Sequence, residues 1–332
     1  MHIAKALVLA GRTSSDRPWP SARSVPRALV PVANRPILFH QLDALREAGV
    51  LEATIAVEPE SARAIRGAVG DGEEWGVRVG YAGCPSGVGL DAALRMACDV
   101  AGDEPVLVQR AGALLREPIA PHIATFAGER IDALALRLPA TEPREGADTI
   151  DGGWLLSERA LSMLARRRPG PGADPLACLR DDGGDVRSRD VDGCELGHAG
   201  QEALLDANRR MLETIVGDAD PVCLTRSRVE GPVVVHPTCS VEDSLIRGPA
   251  IIGPRSRLRR AYVGPYTSIG PGVTIEGAEI EHSILFAGAE LRHIDTRLET
   301  SIIGERARVT RSFAVPKALR VAIGDGAEVA LS

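Results

Sequence analysis

The chain has 332 residues, of which 44% are hydrophobic, and a formal net charge of −6 at pH 7. That length and composition suffice for a buried core and favour at least two domains. The negative charge provides no general attraction for nucleic acid or an anionic membrane, and no apolar run reaches the length of a membrane span, so we expect a cytoplasmic protein. The six cysteines form no Cys-x-x-Cys pair, which disfavours a zinc cluster or a disulfide framework.

Short apolar runs alternate with amphipathic segments over the first two thirds of the chain. Strands are predicted at IAKALVLAG, EATIAV, WGVRVGYA, EPVLVQ and DALALRLP, and helices at GLDAALRMACDV, at IAPHIATFAG and on the face shared by Leu38, Leu42, Leu45 and Ala48. The segments GGWLLSERALSMLARR and EALLDANRRMLETIV are interpreted as two further helices. This alternation predicts a Rossmann-like α/β domain over residues 1–220, with a mostly parallel sheet and a ligand cleft beyond the carboxyl ends of its strands.

A six-residue repeat replaces this pattern after residue 220. Two hexads, VGPYTS and IGPGVT, run head to tail from Val263, and the same Ile-Gly opening recurs at Ile252, Ile303 and Ile323. An inward aliphatic residue every six positions is typical of a solenoid of short parallel strands. We therefore predict a left-handed parallel β-helix over residues 221–332.

Such a β-helix raises the alternative of acyl transfer, with His236, His282 or His293 as the base. A single histidine on a solenoid is more often a surface or corner residue. We favour a structural and oligomerising role, because the flat faces of a solenoid can pack against copies of themselves.

Several motifs carry a family resemblance that extends over nearly the whole chain. They include LVLAG, PRALVPVANRPIL, LLREPIAP, LLDANRRML, YVGPYTSIG and SIIG. With them the chain resembles the sugar-1-phosphate nucleotidyltransferases, and in particular the long-form glucose-1-phosphate thymidylyltransferases of actinobacterial deoxysugar and antibiotic pathways. The resemblance implies a cleft for a nucleoside triphosphate and a sugar 1-phosphate, and transfer that depends on Mg²⁺.

The first loop departs from the pattern of that family, Leu-Ala-Gly-Gly-x-Gly-(Ser/Thr)-Arg-Leu-x-Pro. In the family the paired glycines let backbone N–H groups approach the triphosphate closely. Here Leu9, Ala10 and Gly11 match, whereas Arg12 and Ser14, on either side of Thr13, replace the next two glycines. By the same resemblance Arg17 corresponds to the phosphate-binding arginine, and Arg27 stands where the family has lysine.

Both metal-binding aspartates that the resemblance implies are replaced by glycine. One position falls on Gly112 in VLVQRAGALLREPI, and the other falls on Gly197 in CELGHAGQE. Glu195 is an alternative acid for the second position, whereas no acid lies between Glu104 and Glu117 to replace the first. Hard carboxylate ligands are what Mg²⁺ needs to neutralise a triphosphate, so we expect no metal unless the protein is an active enzyme.

Two further contacts implied by the family are absent. Spacing from Gly89 places Cys84 where the family has a glutamine that reads the pyrimidine edge, and a thiol cannot form the paired hydrogen bonds. The Glu-Lys-Pro segment that would hold the sugar phosphate is missing between RLPATEPREGADTI and GGWLLSERAL.

These losses together favour a family member without ordinary nucleotidyl transfer. Three roles stay open: a non-catalytic scaffold or partner of an active pathway enzyme, metal-free chemistry in the same cleft, and an active nucleotidyltransferase with an altered site. For metal-free chemistry the candidate anion-binding residues are Arg12, Arg17, Arg27 and Arg110, and the candidate acid, base or nucleophilic residues are Cys84, Asp16 and His198. We expect a phosphate-bearing small molecule or a pathway protein as partner, and a homo-oligomer.

Overall fold

The computed structural model describes residues 3–11, 25–85, 90–102, 104–144, 147–167, 174–196, 200–219 and 223–311. The chain divides into two compact units, and among the described residues the boundary between them falls between Met211 and Leu212. None of the described helices is long and apolar enough to cross a membrane.

The first unit is built from strands β1 to β11 and helices α1 to α7. The strands are β1 Lys5–Leu9, β2 Pro31–Val32, β3 Arg35–Pro36, β4 Glu52–Val57, β5 Arg78–Gly83, β6 Val106–Arg110, β7 Ala113–Leu115, β8 Ala133–Arg144, β9 Ala147–Leu156, β10 Val186–Asp190 and β11 Gly193–Glu195. The helices are α1 Ile37–Glu47, α2 Pro59–Val69, α3 Leu90–Ala101, α4 Ala120–Gly128, α5 Glu158–Arg167, α6 Pro175–Asp181 and α7 Gln201–Leu212. Two 3-10 helices lie at Arg27–Leu29 and Glu73–Trp75.

Seven strands form the main sheet in the order β10-β8-β9-β6-β1-β4-β5. Strand β9 is antiparallel to both of its neighbours, whereas the other neighbouring pairs are parallel. Strand β1 lies inside the sheet, and its residues Ala6, Leu7 and Val8 are fully buried, as expected for a parallel strand covered on both faces. The predicted mostly parallel α/β sheet is confirmed.

Two details of the predicted elements are wrong. The sequence pattern predicts GGWLL as part of a helix, but this segment belongs to β9, because Trp154 and Leu155 alternate between two hydrophobic cores on opposite faces of the sheet. Helix α5 begins only after Ser157, whose hydroxyl accepts a hydrogen bond from the N–H of Ala160 at 3.1 Å. Helix α6 was not predicted; it begins after Asp174, whose carboxylate caps it.

The second unit is a three-sided parallel β-helix formed by strands β12 to β28. The strands are β12 Asp218–Ala219, β13 Leu224–Thr225, β14 Arg228–Glu230, β15 Val233–Val235, β16 Ser240–Glu242, β17 Leu245–Arg247, β18 Ala250–Ile252, β19 Arg257–Arg259, β20 Tyr262–Val263, β21 Thr267–Ile269, β22 Thr274–Glu276, β23 Glu279–Glu281, β24 Ile284–Leu285, β25 Glu290–Arg292, β26 Leu298–Glu299, β27 Ile302–Ile303 and β28 Arg308–Thr310. Every third strand joins the same sheet, so the coils stack in three rows, as in a left-handed β-helix.

The interior of this β-helix follows the predicted aliphatic repeat with one correction. The buried residues Ile252, Leu258, Val263 and Ile269 are spaced by six, five and six positions. Ile252 pairs with Ile269 in the next coil, so this coil has 17 residues and one of its sides is a residue shorter than a hexad. A uniform six-residue period is therefore wrong, and the next coil, from Ile269 to Leu285, is shorter still at 16 residues.

The three histidines considered for acyl transfer lie at corners of the coils. His236 follows β15, and its ring accepts a hydrogen bond from the Thr238 N–H at 3.2 Å. His282 and His293 follow β23 and β25, and both have positive φ. These positions agree with the corner interpretation of the histidines.

Two sequence motifs of the first unit meet in its interior. Ala33 and Asn34 form the tight turn between β2 and β3, with φ of 48° and 61°. The N–H of Ala33 donates to the side-chain oxygen of Asn208 on α7 at 3.0 Å, and Asn208 is fully buried. The motifs PVANRP and LLDANRRML therefore stabilise the fold by holding α7 to this turn.

Replacing Asn208 with alanine should destabilise the first unit, because it leaves the partly buried N–H of Ala33 without this acceptor. We expect a loss of about 1–3 kcal/mol in the free energy of unfolding. Urea denaturation of Asn208→Ala checks this, with Gln201→Ala, at an exposed position of the same helix, as the control. Equal stability of the two variants would contradict the assigned role of Asn208.

Candidate active site

The carboxyl ends of four parallel strands form one edge of the main sheet. Leu9 of β1 pairs with Ala56 of β4 and with Arg110 of β6. Val57 of β4 pairs with Gly83 of β5. The residues that follow these strands are therefore neighbours, as expected for the ligand cleft of a parallel α/β sheet.

The structure describes eight of the residues proposed for this cleft. They are Leu9, Ala10, Gly11, Arg27, Cys84, Arg110, Gly112 and Glu195. Arg27 begins the 3-10 helix Arg27–Leu29, and the others lie at or beyond strand ends of the first unit. Arg12, Thr13, Ser14, Asp16, Arg17, Gly89, Gly197 and His198 lie outside the described residues, and their roles stay predictions.

Gly11 packs closely against side chains that follow the neighbouring strands. A Cβ atom on Gly11 would lie 3.0 Å from Sγ of Cys84 and 3.6 Å from Oε1 of Glu58. Cys84 and Glu58 are only 4% and 5% exposed. The base of the first loop is thus occupied by a thiol and a carboxyl group, and sequence analysis did not anticipate Glu58.

The environment of Cys84 argues against the nucleophilic role considered from the sequence. Burial, together with the charge of Glu58, raises the pKa of the Cys84 thiol to about 11. A thiol with that pKa stays protonated at neutral pH, whereas the thiolate is the reactive form.

The turn that contains Gly112 connects β6 to β7 and is fixed from two directions. The amide nitrogen of Gln41 on α1 donates to the carbonyl oxygens of Arg110 at 2.7 Å and Ala113 at 2.8 Å. The N–H of Leu196 donates to the carbonyl oxygen of Gly112 at 2.8 Å. The segment that leads to Gly197 therefore lies beside Gly112, so the structure brings together Gly112 and the approach to the second expected metal position.

Glu195 and Arg110 form a buried ion pair beside this turn. Nη2 of Arg110 lies 3.5 Å from Oε1 of Glu195, and the two side chains are 16% and 1% exposed. Nη1 of Arg110 also donates to the carbonyl oxygen of Asp151 at 3.4 Å. Glu195, the alternative acid for the second metal position, is thus paired with Arg110.

Asp151 is a site residue that sequence analysis missed. Burial raises the pKa of its carboxyl group, and a hydrogen bond from Nε1 of Trp154 at 3.3 Å and the charges of Arg137 and Arg110 partly offset that rise. The available signal is an acidic residue directly before the apolar run GGWLL, but the sequence pattern predicts that run as part of a helix.

The described side chains do not fit a magnesium site at this edge. Gly112 has no side chain, and Glu195 is engaged by a guanidinium group. In the described part of the chain, no group of three or more histidine, cysteine, aspartate or glutamate side chains could hold a metal ion. Mg²⁺ requires oxygen ligands in octahedral geometry, commonly with carboxylates among them.

The fold and this edge define a class of protein. Its members have an α/β unit of the nucleotide-binding type, with the cleft at the strand ends, and a parallel β-helix follows that unit in the chain. Residues 5–144 match the nucleotidyl transferase family model. The chain is 31% identical to a glucose-1-phosphate thymidylyltransferase of Streptomyces griseus over 99% of both chains. It is 30% identical to one of Streptomyces antibioticus, over 98% of this chain and 99% of the relative.

More distant matches agree with this result. A nucleotidyltransferase of low-salt glycan biosynthesis from Haloferax volcanii is 25% identical over 98% of this chain and 100% of the relative. A Bacillus anthracis structure described as a glucose-1-phosphate thymidylyltransferase with sucrose has a TM-score of 0.55 and 18% identity, over 65% of this chain and 97% of that chain. The chain belongs to the sugar-1-phosphate nucleotidyltransferase family.

Alkylation should distinguish an inert Cys84 from a reactive one. We expect Cys84 to resist iodoacetamide at pH about 8, because little of it is thiolate there. Mass spectrometry of the native protein, with the half-buried Cys178 as internal control, should show Cys178 modified first. Modification of Cys84 at the same rate as Cys178 would contradict the protected environment.

Removal of Arg110 should destabilise the first unit because it leaves the charge of Glu195 buried without the guanidinium. We expect Arg110→Met to cost about 3 kcal/mol in unfolding free energy, and Arg110→Met/Glu195→Gln to recover much of this. The exposed control Arg46→Met should change stability by less than about 0.5 kcal/mol. If Arg110→Met and the control had equal urea midpoints, the pair would not contribute to stability.

Proposed function

We propose that this family member has lost metal-dependent nucleotidyl transfer. The observation that carries the proposal is the edge beyond β6, where Gly112 offers no carboxylate and the nearby acid Glu195 is buried against Arg110. In the family pattern a divalent cation neutralises the triphosphate and the departing pyrophosphate. Without that ion several kcal/mol of transition-state stabilisation are lost, which corresponds to orders of magnitude in rate.

The course of β9 supports the loss of the sugar-phosphate contact. The family pattern has a longer segment with Glu-Lys-Pro between the stretches that correspond to RLPATEPREGADTI and GGWLLSERAL, and this boundary falls at Asp151. Strand β9 runs through that position from Ala147 to Leu156 and pairs with β8 on both sides of it. A continuous strand leaves no room for the longer segment.

The base of the first loop supports the loss of the nucleotide contacts. Cys84 is buried where the family pattern has a pyrimidine-reading glutamine, and a thiol cannot replace the paired hydrogen bonds of an amide. Glu58 adds a carboxyl group at the place where the triphosphate is expected. Both changes disfavour a nucleoside triphosphate in its usual position.

The role that remains is one of binding. We propose that the protein acts in the cytoplasm as a homo-oligomeric, non-catalytic partner of an active enzyme in a sugar or secondary-metabolite pathway, with its cleft free to take a phosphate-bearing small molecule without metal. The relation to the two Streptomyces thymidylyltransferases supports that setting. Metal-free chemistry at the same cleft is the second candidate, favoured by the raised pKa of Asp151 beside Arg110.

The proposal predicts no Mg²⁺-dependent binding of dTTP or UTP, and no pyrophosphate release with glucose 1-phosphate, because the metal ligands are missing. Titration calorimetry with and without Mg²⁺, followed by a pyrophosphate assay on the same sample, checks this. The Streptomyces griseus relative, assayed in parallel, is the matched control. Metal-dependent binding with release of pyrophosphate would show an active enzyme and refute the proposal, whereas metal-independent binding without release would support a binding role.

A further inference from the structure

A partly buried positive charge lies where the strand β6 ends. The guanidinium of Arg110 contacts the carbonyl oxygen of Asp151 at 3.4 Å and a carboxylate oxygen of Glu195 at 3.5 Å. Carbonyl and carboxylate oxygens are also the ligands that hard divalent cations take. The side chain of Arg110 therefore contacts oxygen atoms of the kind that would bind a divalent metal ion.

Glu195 already has a positively charged partner without a metal ion. Glu195 is 1% exposed, and a carboxylate buried to that extent requires a compensating positive charge. Arg110 supplies that charge from the same unit of the fold. A divalent cation that approached Glu195 would meet a fixed positive charge, and the two would repel each other.

We propose that Arg110 is a tethered cation that excludes divalent metal from this edge of the sheet. The inference rests on the proposed loss of metal-dependent transfer and extends it. It attributes the exclusion of metal to the charge of Arg110 as well as to the missing carboxylates. Restoring a carboxylate at Gly112 is then insufficient, because the guanidinium pairs with the new carboxylate too.

The turn at Gly112 is a suitable place to introduce a carboxylate that tests the role of Arg110. Gln41 holds the carbonyl groups on both sides of Gly112, so the turn is fixed by contacts that do not involve a side chain at that position. Gly112 is not among the described residues with positive φ, so its backbone does not require glycine. An aspartate introduced there starts from a defined position beside the segment of Glu195 and Leu196.

The experiment measures Mn²⁺ binding by the loss of the free-ion signal in electron paramagnetic resonance, a readout that needs no catalysis. Four proteins are compared: wild type, Gly112→Asp, Arg110→Gln and Gly112→Asp/Arg110→Gln. Glutamine removes the charge of Arg110 and keeps an amide that can donate to Glu195. We expect the double variant to bind Mn²⁺ at least about tenfold more tightly than the other three, since two carboxylates then lack a competing cation.

Gly112→Asn/Arg110→Gln is the matched control, because it has nearly the same shape without the new negative charge. It should bind Mn²⁺ no better than wild type. Thermal unfolding followed by circular dichroism verifies that each variant is folded, and Arg110→Met replaces Arg110→Gln if the glutamine variant is not.

Two results would overturn the inference: binding by Gly112→Asp alone as tight as by the double variant, or no tighter binding by a folded double variant. Neither result affects the proposed loss of activity, which depends on pyrophosphate release by the wild-type protein. Conversely, pyrophosphate release by the wild type refutes the proposed function whatever the variants bind.

Discussion

The parallel pairing of β1 with β4 and β6 is the constraint on which the first unit depends. It sets the carboxyl ends of these strands side by side, and it fixes where Gly11, Glu58 and Gly112 lie. Residues far apart in the sequence meet there because of main-chain hydrogen bonds. Side chains can therefore change at that edge while the backbone that presents them stays the same, as the proposed loss of metal-dependent transfer requires.

The retained and altered motifs have different structural roles. Asn208 and the turn at Ala33 hold a helix to the rest of the unit, so their contact contributes to stability. Gly112 and Cys84 lie at the strand ends, where substitution alters chemistry more than folding. The buried pair of Arg110 and Glu195 joins these two roles, since it neutralises a charge inside the unit and occupies part of the cleft.

Much of this architecture could be predicted because its signals are periodic. The apolar runs of β1 and β4 and the helical face of Leu38, Leu42 and Leu45 were read correctly, since burial imposes those patterns directly. Trp154 was misassigned because a strand buried on both faces and a helix give similar apolar runs. Asp151 and Glu58 were missed because their importance comes from neighbours in space, and no sequence spacing reports those neighbours.

The 17-residue coil from Ile252 to Ile269 has a consequence for how the β-helix can change in length. Each coil pairs in register with the coil before it, although the coils that begin at Ile252, Ile269 and Leu285 have 17, 16 and 18 residues, so the corners between the strands accommodate the difference. An insertion of one residue within a strand would turn an aliphatic side chain outward and a charged one inward. Insertion of one whole coil preserves every pairing, so this part of the chain can lengthen or shorten in evolution by complete turns.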